Sequence, residues 1–136
     1  SHGQNFETHQ ELCADLDHSM STLLDDLKQR GLLENTLVLT LAEFGRTPRI
    51  NGSLGRDHFA NAWSVSLSGC GIKGGSVYGK TDADGNTVAD GEINSADLFA
   101  TIYKALGIDH EKHYQLGARP IPLVDFGAEV VKEVLA

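Results

Sequence analysis

Two short charged motifs carry the side chains of this sequence that could do chemistry. They are Glu43-Phe44-Gly45-Arg46 and Gly55-Arg56-Asp57-His58. Carboxylates and an imidazole can hold a divalent ion, and arginine forks can bind a tetrahedral oxyanion. The two motifs therefore predict a site that combines a metal ion with an anion. A structural interpretation stands beside this one, in which the arginines pair with nearby carboxylates and His58 is a hydrogen-bonded structural residue.

A run of apolar residues leads into the first motif. Leu37-Val38-Leu39-Thr40-Leu41 predicts a strand that is buried on both faces, as in a parallel sheet flanked by helices. Ligands bind at the carboxyl ends of strands in open α/β sheets. The motif that follows the run is therefore expected to lie at the binding edge of the sheet.

Helical and hairpin patterns surround this strand. The pair Thr8 and Glu11 predicts a capping box, and Gly31 predicts the helix end. The helix between them is expected to bury one apolar face, formed by Leu12, Leu16, Met20, Leu23, Leu24 and Leu27. Further elements are predicted as a strand over 63–69, a hairpin turn at Asp84-Gly85, a helix capped by Asn94 or Ser95 and ending at Gly107, a polar surface loop over 109–115, an extended edge segment over 120–124, and a last helix with Val130, Val131, Val134 and Leu135.

Two further motifs match functional patterns only in their letters. Residues 74–81 fit the phosphate-binding P-loop pattern, but the lysine and threonine are followed by turn residues instead of a helix. Residues 82–86 suggest a calcium loop, but a calcium loop aligned on Gly85 would place Lys80 and Gly91 at ligand positions. Neither pattern predicts a site, and a hairpin turn explains both stretches.

Composition bounds the function. The 136 residues are enough for one domain, and a net charge of −8 argues against binding to nucleic acid or to an anionic membrane surface. No apolar segment is long enough to span a bilayer. Cys13 and Cys70 have no metal-ligand spacing and are expected to be unpaired or buried. Because the sequence opens with a polar stretch and no methionine, we expect a processed product or a piece of a longer protein.

The histidines divide into two groups. His2 precedes the first helix and His58 follows an aspartate at a glycine-rich turn, so both are candidates for a site, His58 more than the terminal His2. The others are expected to be solvated surface residues, namely His9, His18, His110 and His113.

The order of these elements resembles the alkaline phosphatase and sulfatase superfamily. The resemblance lies in residues 31–38, which lead into a strand with a charged end, and in residues 95–108, which are similar to the superfamily's C-terminal helix motif. More closely, residues 43–48, 55–58 and 72–75 resemble the domain of unknown function 1501 family of bacterial proteins. This resemblance covers nearly the whole chain. It implies an α/β fold with a three-layer alkaline-phosphatase-like sheet, flanking helices and a small β-hairpin, with residues 1–136 forming the C-terminal part of a longer domain.

The same resemblance suggests roles for individual residues. Glu43 falls where the superfamily has a metal-binding aspartate, and Phe44 falls where alkaline phosphatases have a metal-binding histidine. His58 falls near the late histidine ligand, and His2 resembles the end of an Asp-x-His segment. The implied metal ligands are His2, Glu43, Asp57 and His58, the implied anion-binding residues are Arg46 and Arg56, and the implied cofactor is a divalent ion such as zinc, manganese or calcium.

The resemblance implies a metal-dependent hydrolase of small phosphate or sulfate esters. The superfamily's nucleophile lies far upstream of the matching segment, so this chain alone is expected to be inactive. The alternative is a non-catalytic binding or structural protein of the same fold at the cell envelope, which Phe44 in a ligand position favours. The family resemblance also implies a periplasmic or envelope location. Self-association is expected, because a sheet without its other strands exposes an edge and apolar surface.

Overall fold

The chain forms two α-helices and eight short strands, and the computed structural model describes all of residues 1–136. In chain order the elements are α1 (Asn5–Gln29), β1 (Val38–Thr40), β2 (Gly45–Arg46), β3 (His58–Phe59), β4 (Ser66–Ser68), β5 (Lys80–Thr81), β6 (Val88–Asp90), α2 (Ser95–Ala105), β7 (His113–Leu116) and β8 (Arg119–Pro122). Two single 3-10 turns, Leu33–Asn35 and Lys132–Val134, complete the set. The α/β class predicted from the sequence is confirmed.

The strands pair only in twos. Four antiparallel ladders join β1 to β4, β2 to β3, β5 to β6 and β7 to β8. The parallel arrangement predicted for the apolar run is not observed, since Val38 lies opposite Ser68 and Thr40 opposite Ser66 in an antiparallel register. All three residues of β1 are only half-buried, so the prediction of a strand buried on both faces is wrong for this structure. A three-layer sheet is not seen.

Helix α1 ends as its sequence predicts but begins earlier. Arg30 is the last residue with helical backbone angles, and Gly31 then takes a left-handed conformation at φ 67°. The N–H of Leu32 donates back to the carbonyl of Leu27 at 2.8 Å, which completes a Schellman motif. At the other end, the residue before the helix is Gln4 at φ 46°, without a side-chain cap. The predicted Thr8–Glu11 capping box is therefore wrong, because Thr8 already lies inside the helix.

The core sits around α2. The Asn94 side chain accepts from the N–H of Asp97 at 3.0 Å, and the Asp97 carboxylate accepts from the N–H of Asn94 at 3.1 Å. This capping box starts the helix where the sequence predicted it. The buried side chains of α2 are Leu98, Ala100, Thr101 and Ile102.

The C-terminal segment is fastened to α2 by polar contacts. The N–H of Val131 donates to Thr101 Oγ1 at 3.0 Å, and the N–H of Glu129 donates to the Asp97 carboxylate at 2.8 Å. Val131 itself is buried. These contacts hold residues 129–131 in an extended path, so the predicted last helix is reduced to the single turn Lys132–Val134.

The structure of residues 74–86 shows why the P-loop and calcium-loop patterns do not form binding sites. Lys80 and Thr81 form strand β5 instead of opening a helix, so no P-loop is present. The Asp82 carboxylate accepts hydrogen bonds from the N–H groups of Asp84, Asn86 and Thr87 and from the Thr87 hydroxyl, at 2.7–3.1 Å. Asp82 therefore stabilises the hairpin turn, and its carboxylate is used by these hydrogen bonds. A second hairpin, β7–β8, occupies part of the stretch predicted as a polar loop, and its second strand matches the predicted extended segment.

Much apolar surface remains exposed. The chain exposes 9748 Å², whereas a folded monomer of its mass is expected to expose about 6,900 Å². On α1 the predicted apolar face is largely open, with Leu12, Leu16 and Leu23 exposed at 54%, 52% and 46%. No helix has the length and apolar character needed to cross a membrane.

Candidate functional site

The two charged motifs meet in one short ladder. Strands β2 and β3 pair so that Arg46 lies directly opposite His58. The ladder continues as Thr47 donates its N–H to the carbonyl of Asp57 at 3.0 Å, and the N–H of Asp57 donates to Thr47 Oγ1 at 3.1 Å. Gly45 is needed beside this ladder, because a Cβ there would lie 2.1 Å from the carbonyl oxygen of Ala62.

The N-terminal segment is docked on the loop between β2 and β3. The N–H of Arg56 donates to the carbonyl of Ser1 at 2.8 Å, and the N–H of Gln4 donates to that of Ser53 at 3.0 Å. The approach is close enough that a Cβ on Gly55 would lie 2.0 Å from the carbonyl oxygen of His2. The loop therefore holds the backbone of residues 1–4, and with it His2, beside the second motif.

Four side chains come together at this junction and are called the imidazole cluster: His2, Arg46, Asp57 and His58. The Nε2 atoms of His2 and His58 lie 3.0 Å apart. Arg46 Nη1 lies 3.2 Å from His2 Nε2, and His2 Nδ1 lies 3.4 Å from Asp57 Oδ1. Three of the cluster residues were predicted as metal ligands and one as an anion-binding residue, and the structure brings all four into contact.

One proton arrangement satisfies the contacts of His2 with Arg46 and Asp57. Arg46 can only donate, so His2 accepts at Nε2 and carries its proton on Nδ1, where it faces the Asp57 carboxylate. A carboxylate on the far nitrogen of an imidazole is the arrangement that orients histidine ligands in metal sites. Asp57 thus orients His2.

Asn51 completes the support of Asp57. Its amide nitrogen donates to Asp57 Oδ1 at 2.9 Å and to the carbonyl of His2 at 3.0 Å. Its amide oxygen accepts from the N–H groups of Ser53 and Gly55, both at 2.9 Å. The hydrogen bond from Asn51, followed by that from His2, lowers the pKa of Asp57 below its ordinary value of 3.8, so the carboxylate is ionised at neutral pH.

The two imidazoles of the cluster can be compared with a pair of zinc ligands. Two imidazole nitrogens on a tetrahedral zinc ion lie about 3.3 Å apart, which is close to the 3.0 Å between the two Nε2 atoms. No group of three or more histidine, cysteine, aspartate or glutamate side chains in the chain is arranged to hold a metal ion. The donor set therefore fits two positions of a coordination sphere, with Asp57 behind one of them.

Two predicted site residues have other surroundings. Arg56 donates through Nη1 to the carbonyls of Thr47 and Pro48 at 2.7 and 2.6 Å, so its guanidinium fastens the loop. Glu43 is exposed and takes part in none of the three ion pairs of the chain. Neither side chain contacts the cluster through a hydrogen bond.

Phe44 packs against the cluster. Its ring centroid lies 4.1 Å from that of His58, and His2 lies on His58 at 4.8 Å. The Arg46 guanidinium lies 5.9 Å from the Phe44 ring. Phe44 therefore positions His58 and offers the site no ligand atom.

The sequence interpretation missed Asn51 and understated Gly55. The available signal was an asparagine followed by glycine in a polar loop, which favours a side-chain turn to the backbone two residues later. Its bond to Asp57 depends on the loop's return path, which has no signal in the sequence. Among the histidines expected on the surface, His18 and His113 are exposed, whereas His9 and His110 are half-buried. None of the four belongs to the cluster, and His113 stacks against Phe126 at 5.6 Å.

The site belongs to a chain whose family is clear. The family model described as protein of unknown function (DUF1501) matches residues 1–135, and the chain belongs to this family. No curated protein and no solved structure matches the chain.

Proposed function

We propose that this chain is the C-terminal part of a metal-dependent hydrolase of phosphate or sulfate esters, built on the three-layer alkaline-phosphatase-like sheet that its resemblance implies. The observation that supports this proposal most is the His2–His58 pair, with Nε2 atoms 3.0 Å apart, Asp57 behind His2 and Arg46 beside it. The remaining ligands and the nucleophile would come from an upstream part of the protein. The chain alone is therefore expected to be inactive.

Each cluster residue has a distinct role in this proposal. His2 and His58 would hold the divalent ion through Nε2, and Asp57 fixes the His2 ring through Nδ1. When bound, the ion polarises the ester and stabilises the leaving oxygen. Arg46 releases its contact with His2 Nε2 and binds the oxygen atoms of the tetrahedral anion. Arg56 holds the loop, and Glu43 is a further ligand on the strength of the resemblance only.

The test is hydrolysis by the full-length protein of a panel of aryl phosphates and aryl sulfates. His58→Ala is expected to lower the rate at least about a hundredfold, since it removes a ligand of the ion. His18→Ala is the matched control, because His18 is an exposed histidine on α1, outside the cluster. Equal rates in the wild type and the H58A variant would refute the proposed chemistry.

The second candidate is a non-catalytic binding or structural protein of the same fold. The observation that favours it is Phe44, whose ring stacks on His58 where a ligand is expected. The metal content of the purified full-length protein separates the two candidates. Stoichiometric zinc, manganese or calcium that is lost in the H58A variant supports the hydrolase, and a folded protein that takes up none of these ions supports the binding protein.

We propose a periplasmic or envelope location on the family resemblance alone. Fractionation of cells that express the full-length protein with a C-terminal tag tests it. Recovery in the periplasmic or membrane fraction supports the location, and recovery with the cytoplasmic proteins contradicts it.

A further inference from the structure

A cleft of about 390 Å³ opens beside the imidazole cluster. Its walls are formed by Thr47, Arg49, Ile50, Asn51, Gly52 and Asp57. Asp57 belongs to both the cleft and the cluster, so a molecule in the cleft touches the cluster's edge. The volume falls at the small end of the range of about 300–1,000 Å³ typical of ligand pockets, which suits a ligand with a single ring.

The walls of the cleft are held in place before any ligand arrives. Thr47 Oγ1 donates to the carbonyl of Arg49 at 2.8 Å and accepts from the N–H of Asp57 at 3.1 Å. The N–H of Asn51 donates to the carbonyl of Gly55 at 2.9 Å, and both amide atoms of the Asn51 side chain are bonded. These contacts commit Thr47 and Asn51 to the scaffold.

Two polar groups of the cleft are left for a ligand. Arg49 contributes only its backbone carbonyl to the internal bonds, and its guanidinium takes part in none of the three ion pairs. The hydrogen bonds to the Asp57 carboxylate fall on Oδ1, which leaves Oδ2 open. Arg56 is engaged with loop carbonyls, and Arg46, which contacts His2, is the residue proposed to bind the tetrahedral anion. Arg49 is therefore the arginine of this loop that is free to bind a ligand.

We propose that this cleft binds the leaving group of the substrate and that Arg49 selects leaving groups that carry a second anionic group. This inference rests on the proposed hydrolase function and assigns its substrate class. The anionic end binds the Arg49 guanidinium, the ring packs on Ile50, and the ester lies towards Asp57 and the cluster. Arg49 is the only cationic side chain that lines the cleft, so it fixes the position of the second anionic group.

The experiment compares two substrates in the full-length protein. The substrates are 4-carboxyphenyl phosphate and phenyl phosphate, which differ in one carboxylate. We expect the wild type to favour the carboxylated substrate about tenfold in kcat/KM, as a charge-assisted hydrogen bond at an exposed arginine gives. Arg49→Gln should abolish this preference, and Arg119→Gln, at an exposed arginine of β8, should keep it. An unchanged preference in the R49Q variant overturns the inference.

A binding measurement keeps the inference separate from the proposed function. By calorimetry, 4-hydroxybenzoate should bind the wild type about tenfold more tightly than phenol, and equally weakly in the R49Q variant. If the full-length protein hydrolyses neither these esters nor any aryl phosphate or aryl sulfate of the panel, the hydrolase proposal fails, and the calorimetric comparison alone decides whether the cleft binds the ligand. Equal affinities of the two compounds for the wild type overturn the assignment of Arg49.

Discussion

Gly55→Ala should separate the N-terminal segment from the loop that holds it. The new Cβ would lie 2.0 Å from the carbonyl oxygen of His2, 2.1 Å from its carbonyl carbon and 2.6 Å from the nitrogen of Gly3. All three atoms belong to the backbone, so no side-chain rotation relieves the overlap. The segment has to move away, and His2 then leaves the imidazole cluster.

The cost follows from the hydrogen bonds that hold the segment. Backbone bonds join Arg56 to Ser1, Gln4 to Ser53 and Asn5 to Leu54, at 2.8, 3.0 and 2.9 Å, and a fourth runs from the Asn51 side chain to the His2 carbonyl at 3.0 Å. Each contributes about 0.5–1.5 kcal/mol net, so losing all of them costs about 2–6 kcal/mol. That range corresponds to a factor of about 30 to 10⁴ in the opening equilibrium of the segment.

Amide hydrogen exchange reads this equilibrium directly. Exchange at the N–H groups of Gln4, Asn5 and Arg56 should accelerate by at least about 30-fold in the G55A variant. Gly52→Ala is the matched control in the same loop, because a Cβ there meets nothing within 4 Å. If the G55A and G52A variants exchange these amides at the same rate, the steric reasoning is wrong and the loop does not hold the segment.

Further predictions concern the hairpin turn at Asp82, the cap of α2 and self-association. Asp82→Ala should accelerate amide exchange at Asn86 and Thr87, whereas Asp84→Ala should not, because the Asp82 carboxylate accepts the hydrogen bonds of the turn. The Thr87 hydroxyl and the turn N–H groups lower the pKa of Asp82 below 3.8. The ionised Asp82 carboxylate therefore stabilises the turn fully above pH 3.8, and this stabilisation is lost as the pH falls through the lowered pKa. Amide exchange measured at decreasing pH would detect the loss. Asn94→Ala should cost about 1 kcal/mol in chemical denaturation, since it removes the cap of α2; an unchanged midpoint would contradict that role. Leu16→Gln should reduce self-association in sedimentation, Asp17→Gln should not, and a wild type that sediments as a clean monomer would refute the expectation.

Local signals predicted the parts of the fold that depend on local interactions. The cap of α2 needs only Asn94 and Asp97 at their fixed spacing, and the end of α1 needs only Gly31 in a left-handed conformation. The start of α1 could not be predicted in this way. Gln4 takes its left-handed conformation while its N–H bonds to Ser53, a residue distant in the chain, so tertiary contacts set the boundary.

The same distinction applies to the site. Residue types suggested Arg46, Asp57 and His58 as site residues, and the family resemblance added His2. The structure brings the four side chains together, and their chemistry stays a prediction. Arg56 was predicted to bind an anion, but its guanidinium donates to the carbonyls of Thr47 and Pro48, which the returning loop places within 2.7 Å. Whether an arginine side chain binds a ligand or a backbone carbonyl depends on the path of the loop around it. A short sequence motif does not contain the distance between the guanidinium and those carbonyls.

The largest difference between pattern and structure concerns burial. A periodic apolar face on a helix predicts that the face is buried, but it does not identify the surface that covers it. The apolar face of α1 therefore predicts burial without identifying the element that packs on it. Here four apolar side chains are buried, while Tyr114, Leu116 and Phe126 are exposed at 67%, 69% and 83%. Covering each 1,000 Å² of apolar surface contributes about 25 kcal/mol before the entropy of ordering is subtracted. Exposed apolar faces of this kind mark contact surfaces, so we expect α1 and the β7–β8 hairpin to be covered by polypeptide, from a second copy of the chain or from another part of the protein.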